Sequence, residues 1–163
     1  MKMGLARPIL LKRLNNEIGN LGNYLNVNLG EIPEDAEFPL TLSVCLMNIP
    51  ARASRDRETD RHSFDLVISD EYPYERPRVI WRTEIFHPNI MKPEDGGFVC
   101  LRISESWNFG TGLISFIMGI ENLLVSPNPS NPYGTDSCME AAEWYTANKP
   151  KFSAKVSYGD TDA

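Results

Sequence analysis

From Ile9 to Leu21 apolar residues fall at Leu11, Leu14, Ile18 and Leu21, while Lys12, Arg13, Asn15, Asn16 and Glu17 occupy the other faces. Intervals of three and four predict an amphipathic α-helix with one face committed to a core. Pro8 opens it, because proline in the first helical turn gives up no needed N–H. The period then changes to two, in Leu25-Val27-Leu29, in Phe38-Leu40-Leu42-Val44-Leu46 and in Phe64-Leu66-Ile68. Such alternation predicts half-buried strands, and Arg78 to Arg82, following Pro77, supplies a fourth. Four consecutive strands with no helix between them predict an antiparallel meander, hence an α+β fold.

Between the second and third strands, Ala51 to Arg61 holds arginines and acidic residues without an apolar period and predicts a solvated loop. From Phe86 to Trp107 the chain is broken by Pro88, Pro93, Gly96 and Gly97, which predicts irregular structure of the kind that often carries function. Leu113, Phe116, Ile117, Ile120, Leu123 and Leu124 give a broad apolar stripe ending before Pro127, the pattern of a central helix packed on the sheet. A last helix is predicted from Ser137, which has capping-box spacing to Glu140, to about Ala147, with a further short turn around Phe152 and Val156.

At 163 residues the chain has the length of one domain, expected to run over residues 1–156 with a polar tail at 157–163. Its three cysteines, Cys45, Cys100 and Cys138, have neither paired nor zinc-ligand spacing, which points to a reducing, cytoplasmic setting. The net charge of -6 argues against a general nucleic-acid binder. The longest apolar run near the N-terminus, Ile9-Leu10-Leu11, is too short for a signal peptide or membrane span.

The candidate chemistry lies in His87-Pro88-Asn89 followed by Cys100 and Trp107. Proline beside asparagine fixes the direction of a side-chain amide donor, as a developing oxyanion needs, and cysteine supplies sulfur able to carry an acyl group. An isolated cysteine is more often a core residue, but here the company is informative. Upstream stands Tyr72-Pro73-Tyr74-Glu75-Arg76-Pro77, and downstream Ser126-Pro127-Asn128-Pro129-Ser130-Asn131-Pro132. In that order these segments resemble the core of the ubiquitin-conjugating enzymes, from the first helix to about Phe152.

The resemblance implies the fold of that family: an N-terminal helix, a four-stranded meander, a central helix and one or two short C-terminal helices. It implies a carrier that takes ubiquitin or a ubiquitin-like protein from an activating enzyme as a thioester on Cys100 and passes it to a lysine of a protein substrate. Asn89 would stabilise the oxyanion, His87 would support the turn, and Asn131 would orient the amine. Tyr74, Trp107 and Phe109 resemble the surface that docks a RING-type ligase, and Lys12 and Arg13 the basic residues that meet the activating enzyme. No cofactor or metal is expected, since ATP is spent upstream. The expected carrier is a monomer without nucleic-acid or membrane partners.

The chain also departs from the family pattern. The link from Ile90 to Val99 is longer than usual, Arg102 stands where many members carry an acid, and Ser130 and Asn131 stand where another acid is common. Those acids help to desolvate and deprotonate a lysine whose ordinary pKa is about 10.4. Glu94, Asp95 and Glu105 are candidates to restore the charge. The departures keep a second reading open, a binding or scaffold variant of the same fold that recognises modifier or ligase without transfer. A cysteine hydrolase or redox protein ranks below both, because neither a third orienting residue nor a resolving cysteine can be named.

Overall fold

The computed structural model describes residues 4–101 and 107–149. Helix α1 spans Arg7–Leu25 with Pro8 in its first turn, and it buries Leu10, Leu14, Ile18, Leu21 and Leu25. Strands β1 (Leu40–Ser54), β2 (Arg57–Ile68) and β3 (Arg78–Trp81) follow, then α2 (Leu113–Val125) and α3 (Asp136–Asn148). The α+β architecture and the antiparallel meander agree with the pattern of apolar positions. The strands pair in the order β1-β2-β3, with Leu42 opposite Leu66 and Phe64 opposite Trp81. One face of this sheet carries Val44, Leu46, Phe64, Leu66 and Trp81 into a core shared with Phe116, Ile117, Ile120 and Leu124 of α2.

The described sheet has three strands, because Leu25-Val27-Leu29 is not one. Leu25 is the last residue of α1, and Asn26 adopts a left-handed conformation at φ 60°. Val27 N–H then returns to the Gly22 carbonyl at 2.9 Å, closing the helix end as asparagine commonly does. The alternation there comes from a helix end running into a turn. Gly22 is required by this closure, since a Cβ would stand 2.6 Å from the Val27 carbonyl oxygen.

The segment expected as a solvated loop is instead the far end of the β1–β2 hairpin. Ala51 pairs with Thr59 and Arg52 with Glu58, and the turn is confined to Arg55 and Asp56. Ala51 and Ala53 are buried there, small residues that an apolar pattern built on larger side chains overlooks. The Arg52 guanidinium lies 4.7 Å from the centre of the Trp144 ring, so its charge covers α3 while its backbone stays in the strand. Helix α3 also begins earlier than expected: Thr135, not Ser137, is the cap, its Oγ1 accepting from Cys138 N–H at 3.2 Å. The turn expected around Phe152 and Val156 and the tail at 157–163 lie outside the described residues.

Candidate active site and partner surfaces

The segment from Ile85 to Ile90 is buried throughout, although it lies outside the strands. Buried irregular backbone needs polar partners, and His87 and Asn89 supply them. His87, fully buried, accepts the Asn89 backbone N–H on Nδ1 at 3.0 Å and donates from Nε2 to the Leu123 carbonyl of α2 at 2.8 Å. Burial pushes its pKa down to about 4, against an upward pull from the Leu123 carbonyl. A neutral ring with both nitrogens engaged is a brace between the turn and α2.

Asn89 is 3% exposed, and its amide is occupied on both ends. Nδ2 donates to the carbonyls of Asn128 and Asn131 at 3.0 and 3.2 Å, and Oδ1 accepts from Asn128 N–H at 2.8 Å. It therefore ties the His-Pro-Asn turn to the proline-rich segment after α2. The Asn89 carbonyl in turn accepts from Cys100 N–H at 3.0 Å. The Cys100 side chain is exposed at this junction, while Leu101 beside it is buried. One hydrogen-bonded frame thus holds an accessible thiol beside Asn89, and the same amide must loosen a backbone contact before it can serve an oxyanion.

The long link from Ile90 to Cys100 is a compact excursion. Met91 N–H bonds to the Phe98 carbonyl at 2.9 Å and Gly97 N–H to the Lys92 carbonyl at 3.0 Å, around a single 3-10 turn at Pro93–Asp95. Gly97 has φ 69°, and a Cβ on it would stand 2.8 Å from the Trp81 backbone, to which its carbonyl bonds. The link is therefore fastened to the end of β3, and its extra length does not displace Cys100 from the turn. Glu94 and Asp95 are exposed on that 3-10 turn. Arg102 and Glu105 lie outside the described residues.

Ser130 hydrogen-bonds to Asn128 at 2.7 Å, and Asn131 is exposed, its carbonyl held by Asn89. Cys138 is buried, and burial pushes its thiol up. The lowering that a helix start would suggest is thus overridden, and Cys138 is a core residue. Cys45 is exposed on the outer face of the sheet. Among the described residues no group of three His, Cys, Asp or Glu side chains could hold a metal ion, and no helix is long and apolar enough to cross a membrane.

The three aromatics singled out as one surface divide. Tyr74 and Phe109 stack at 5.9 Å with 42% and 60% of their surface exposed. Trp107 turns inward: its indole N–H donates to the Pro73 carbonyl at 2.8 Å, and its ring meets Phe116 edge-on at 5.7 Å. It holds the loop rather than displaying it. Lys12 is exposed on α1, but Arg13 is half-buried, with Nη2 donating to the Phe109 carbonyl at 2.6 Å and Nε paired to Glu17 at 2.7 Å.

Glu17, read in the sequence only as part of a polar face, joins these loops. It accepts from the Tyr72 hydroxyl at 2.5 Å and from the Leu113 N–H at the start of α2 at 3.0 Å. The spacing of Arg13 to Glu17 was its one sequence signal. Tyr133 was also missed. Its N–H bonds to the Pro88 carbonyl at 3.0 Å, which fastens it to the same turn as Cys100, and nothing in its local sequence announces that.

A sequence profile described as ubiquitin-conjugating enzyme matches residues 45–159. The chain is similar to a probable ubiquitin-conjugating enzyme of Acanthamoeba polyphaga mimivirus, 28% identical over 153 residues that cover 90% of this chain and 89% of the viral one. It is similar also to a Nedd8-conjugating enzyme of Drosophila melanogaster, 34% identical over 97 residues, 59% of this chain and 50% of the relative. The chain therefore matches about half the length of this second relative. Among solved structures, the conjugating domain of a Toxoplasma gondii ubiquitin-conjugating enzyme has a TM-score of 0.62, covering 89% of this chain and 90% of that one at 22% identity. At that identity the likeness is one of fold.

Proposed function

The chain belongs to the ubiquitin-conjugating enzyme family, and from that premise we propose that it carries ubiquitin or a ubiquitin-like modifier as a thioester on Cys100. The observation that carries this reading is the exposed Cys100 thiol, tied by its N–H to Asn89 within a braced turn. In the first step the Cys100 thiolate attacks the modifier's thioester on the activating enzyme, whose own thiol leaves. In the second a lysine amine attacks the new thioester, the carbon–sulfur bond breaks and Cys100 departs as thiolate. Thiolate is nucleophilic enough that exchange between thioesters needs no strong base.

Asn89 would serve the oxyanion of the second step by exchanging one backbone contact for the developing charge. His87 acts as a brace, and Asn131, exposed beside the site, is available to the amine. The Tyr74–Phe109 pair supplies a docking surface for a RING-type ligase, with Trp107 behind it, and Lys12 with Arg13 faces the activating enzyme. The reaction draws on no cofactor of the carrier itself, and we assign the protein a monomeric, cytoplasmic role.

The scaffold reading is favoured by one observation, the engagement of both Asn89 amide hydrogens by backbone. Incubation with activating enzyme, ATP and ubiquitin, and in parallel with Nedd8 and its own activating enzyme, decides between them on reducing and non-reducing gels. A reductant-sensitive adduct that Cys100→Ser does not form establishes the carrier. Modifier binding with no such adduct for either pair establishes the scaffold.

A further inference from the structure

The polar side chains fastened around Cys100 are largely spent, most of them on backbone groups. His87 is used on both nitrogens, Asn89 on both ends of its amide, and Ser130 on Asn128. The half-buried Tyr133 differs, because its hydroxyl has no hydrogen-bond partner among the described residues. Its backbone is nevertheless fixed: the N–H bonds to Pro88, next to the residue whose carbonyl holds Cys100. A residue held by its backbone, with an idle hydroxyl, thus stands two positions after Asn131, in the segment where the chain lacks an acid common in its family.

We propose that the Tyr133 hydroxyl receives the acceptor amine at Cys100, accepting an amine N–H so that the nitrogen lone pair is aimed at the thioester carbonyl. The proposal rests on the thioester reading above and names the group that orients its second substrate. In that step nitrogen bonds to the carbonyl carbon, the carbon–sulfur bond breaks, Cys100 leaves as thiolate, and the amine's surplus proton passes to water. Tyr133 keeps its own proton throughout. Burial, followed by charge on Cys100 and Cys138, pushes the phenol up to about 12 against a smaller downward pull from Arg76. At working pH it is therefore neutral, an acceptor oxygen rather than a base.

The test separates amine orientation from the other duties of the site. Cys100 of wild type, Tyr133→Phe and Asn131→Ala is loaded with ubiquitin, either enzymatically or by exchange with a ubiquitin thioester of a small thiol, and discharge is followed to free lysine and to free glutathione. Phenylalanine keeps the ring and loses only the oxygen, and normal loading with an unchanged melting temperature verifies that it folds. Tyr133→Phe is expected to slow discharge to lysine by about tenfold, the loss of one hydrogen bond, and to leave discharge to the thiol unchanged. Unchanged lysine discharge, equal slowing with both acceptors, or a loss confined to Asn131→Ala would each overturn the inference while leaving the carrier function intact. Failure of wild-type Cys100 to load by either route removes the carrier function and the inference together.

Discussion

Asn89 carries three hydrogen bonds on one side chain, which makes it first a fastener between two loops. Asn89→Ala leaves two carbonyls and one N–H near 128–131 without that partner, and it should cost about 2 kcal/mol of stability. Chemical denaturation measures that cost, and single-turnover discharge to lysine reports separately on the oxyanion. A purely structural asparagine predicts normal discharge from the fraction that remains folded. Gly97 poses a backbone question instead. Gly97→Ala forces a left-handed residue and a Cβ at 2.8 Å from the Trp81 backbone, so a loss of about 2 kcal/mol is expected. The melting temperature would register it, and an unchanged value would mean that the link to Cys100 is not fastened to β3.

At the scale of elements, α1 and α2 meet across two part-buried polar contacts of opposite character. Glu17 reaches the start of α2, where Leu113 N–H and the helix dipole favour a carboxylate. Glu17→Ala should therefore lower stability by about 1 kcal/mol or more, and a denaturation midpoint unmoved from wild type would dismiss the cap. Glu121 is less well served. It is 4% exposed, its Oε1 accepts from the Tyr24 hydroxyl at 2.8 Å, and its Oε2 has no hydrogen-bond partner among the described residues.

Burial pushes the Glu121 carboxyl up to about 7, against a smaller downward pull from Tyr24. Between an ordinary value of 4.5 and 7, the unfolded chain releases this proton while the folded chain keeps it. Folding stability is thus lost as pH rises through that window. Glu121→Gln abolishes the effect, so its stability relative to wild type should increase from pH 5 to pH 8. A difference that stays flat across that range would sink the assignment. His87 works in the opposite direction: held near 4, it loses stability as pH falls from 6.5, which is why the comparison is made between variants rather than on wild type alone.

Over the whole molecule, the main core, with a smaller cluster of Phe86, Ala141 and Tyr145 beside it, lies behind two candidate surfaces. The Cys100 frame hangs from α2 through His87 and from β3 through Gly97. The Tyr74–Phe109 pair hangs from α1 through Arg13. Phe109→Ala removes a residue 60% exposed and should change melting temperature little, while lowering ligase-stimulated discharge severalfold. If the stimulation survives intact, this pair is not where a ligase docks.

The helices and the parts of β1 and β2 nearest the core were legible in the sequence because period and polarity are local properties, whereas the far end of their hairpin, carrying small and charged residues, was not. The order of the motifs around Cys100 was legible for the same reason, being a matter of residue types along the chain. Leu25-Val27-Leu29 deceived because a left-handed closure at Asn26 depends on how the backbone hydrogen bonds terminate, which alternation does not encode. Only the tertiary structure decided that Asn89 spends its amide on residues forty positions away, that Trp107 faces inward and that Arg13 holds the Phe109 loop. These outcomes turn on burial and on which backbone groups are left needing a partner. Both are settled by packing between distant segments, and no window of sequence contains them.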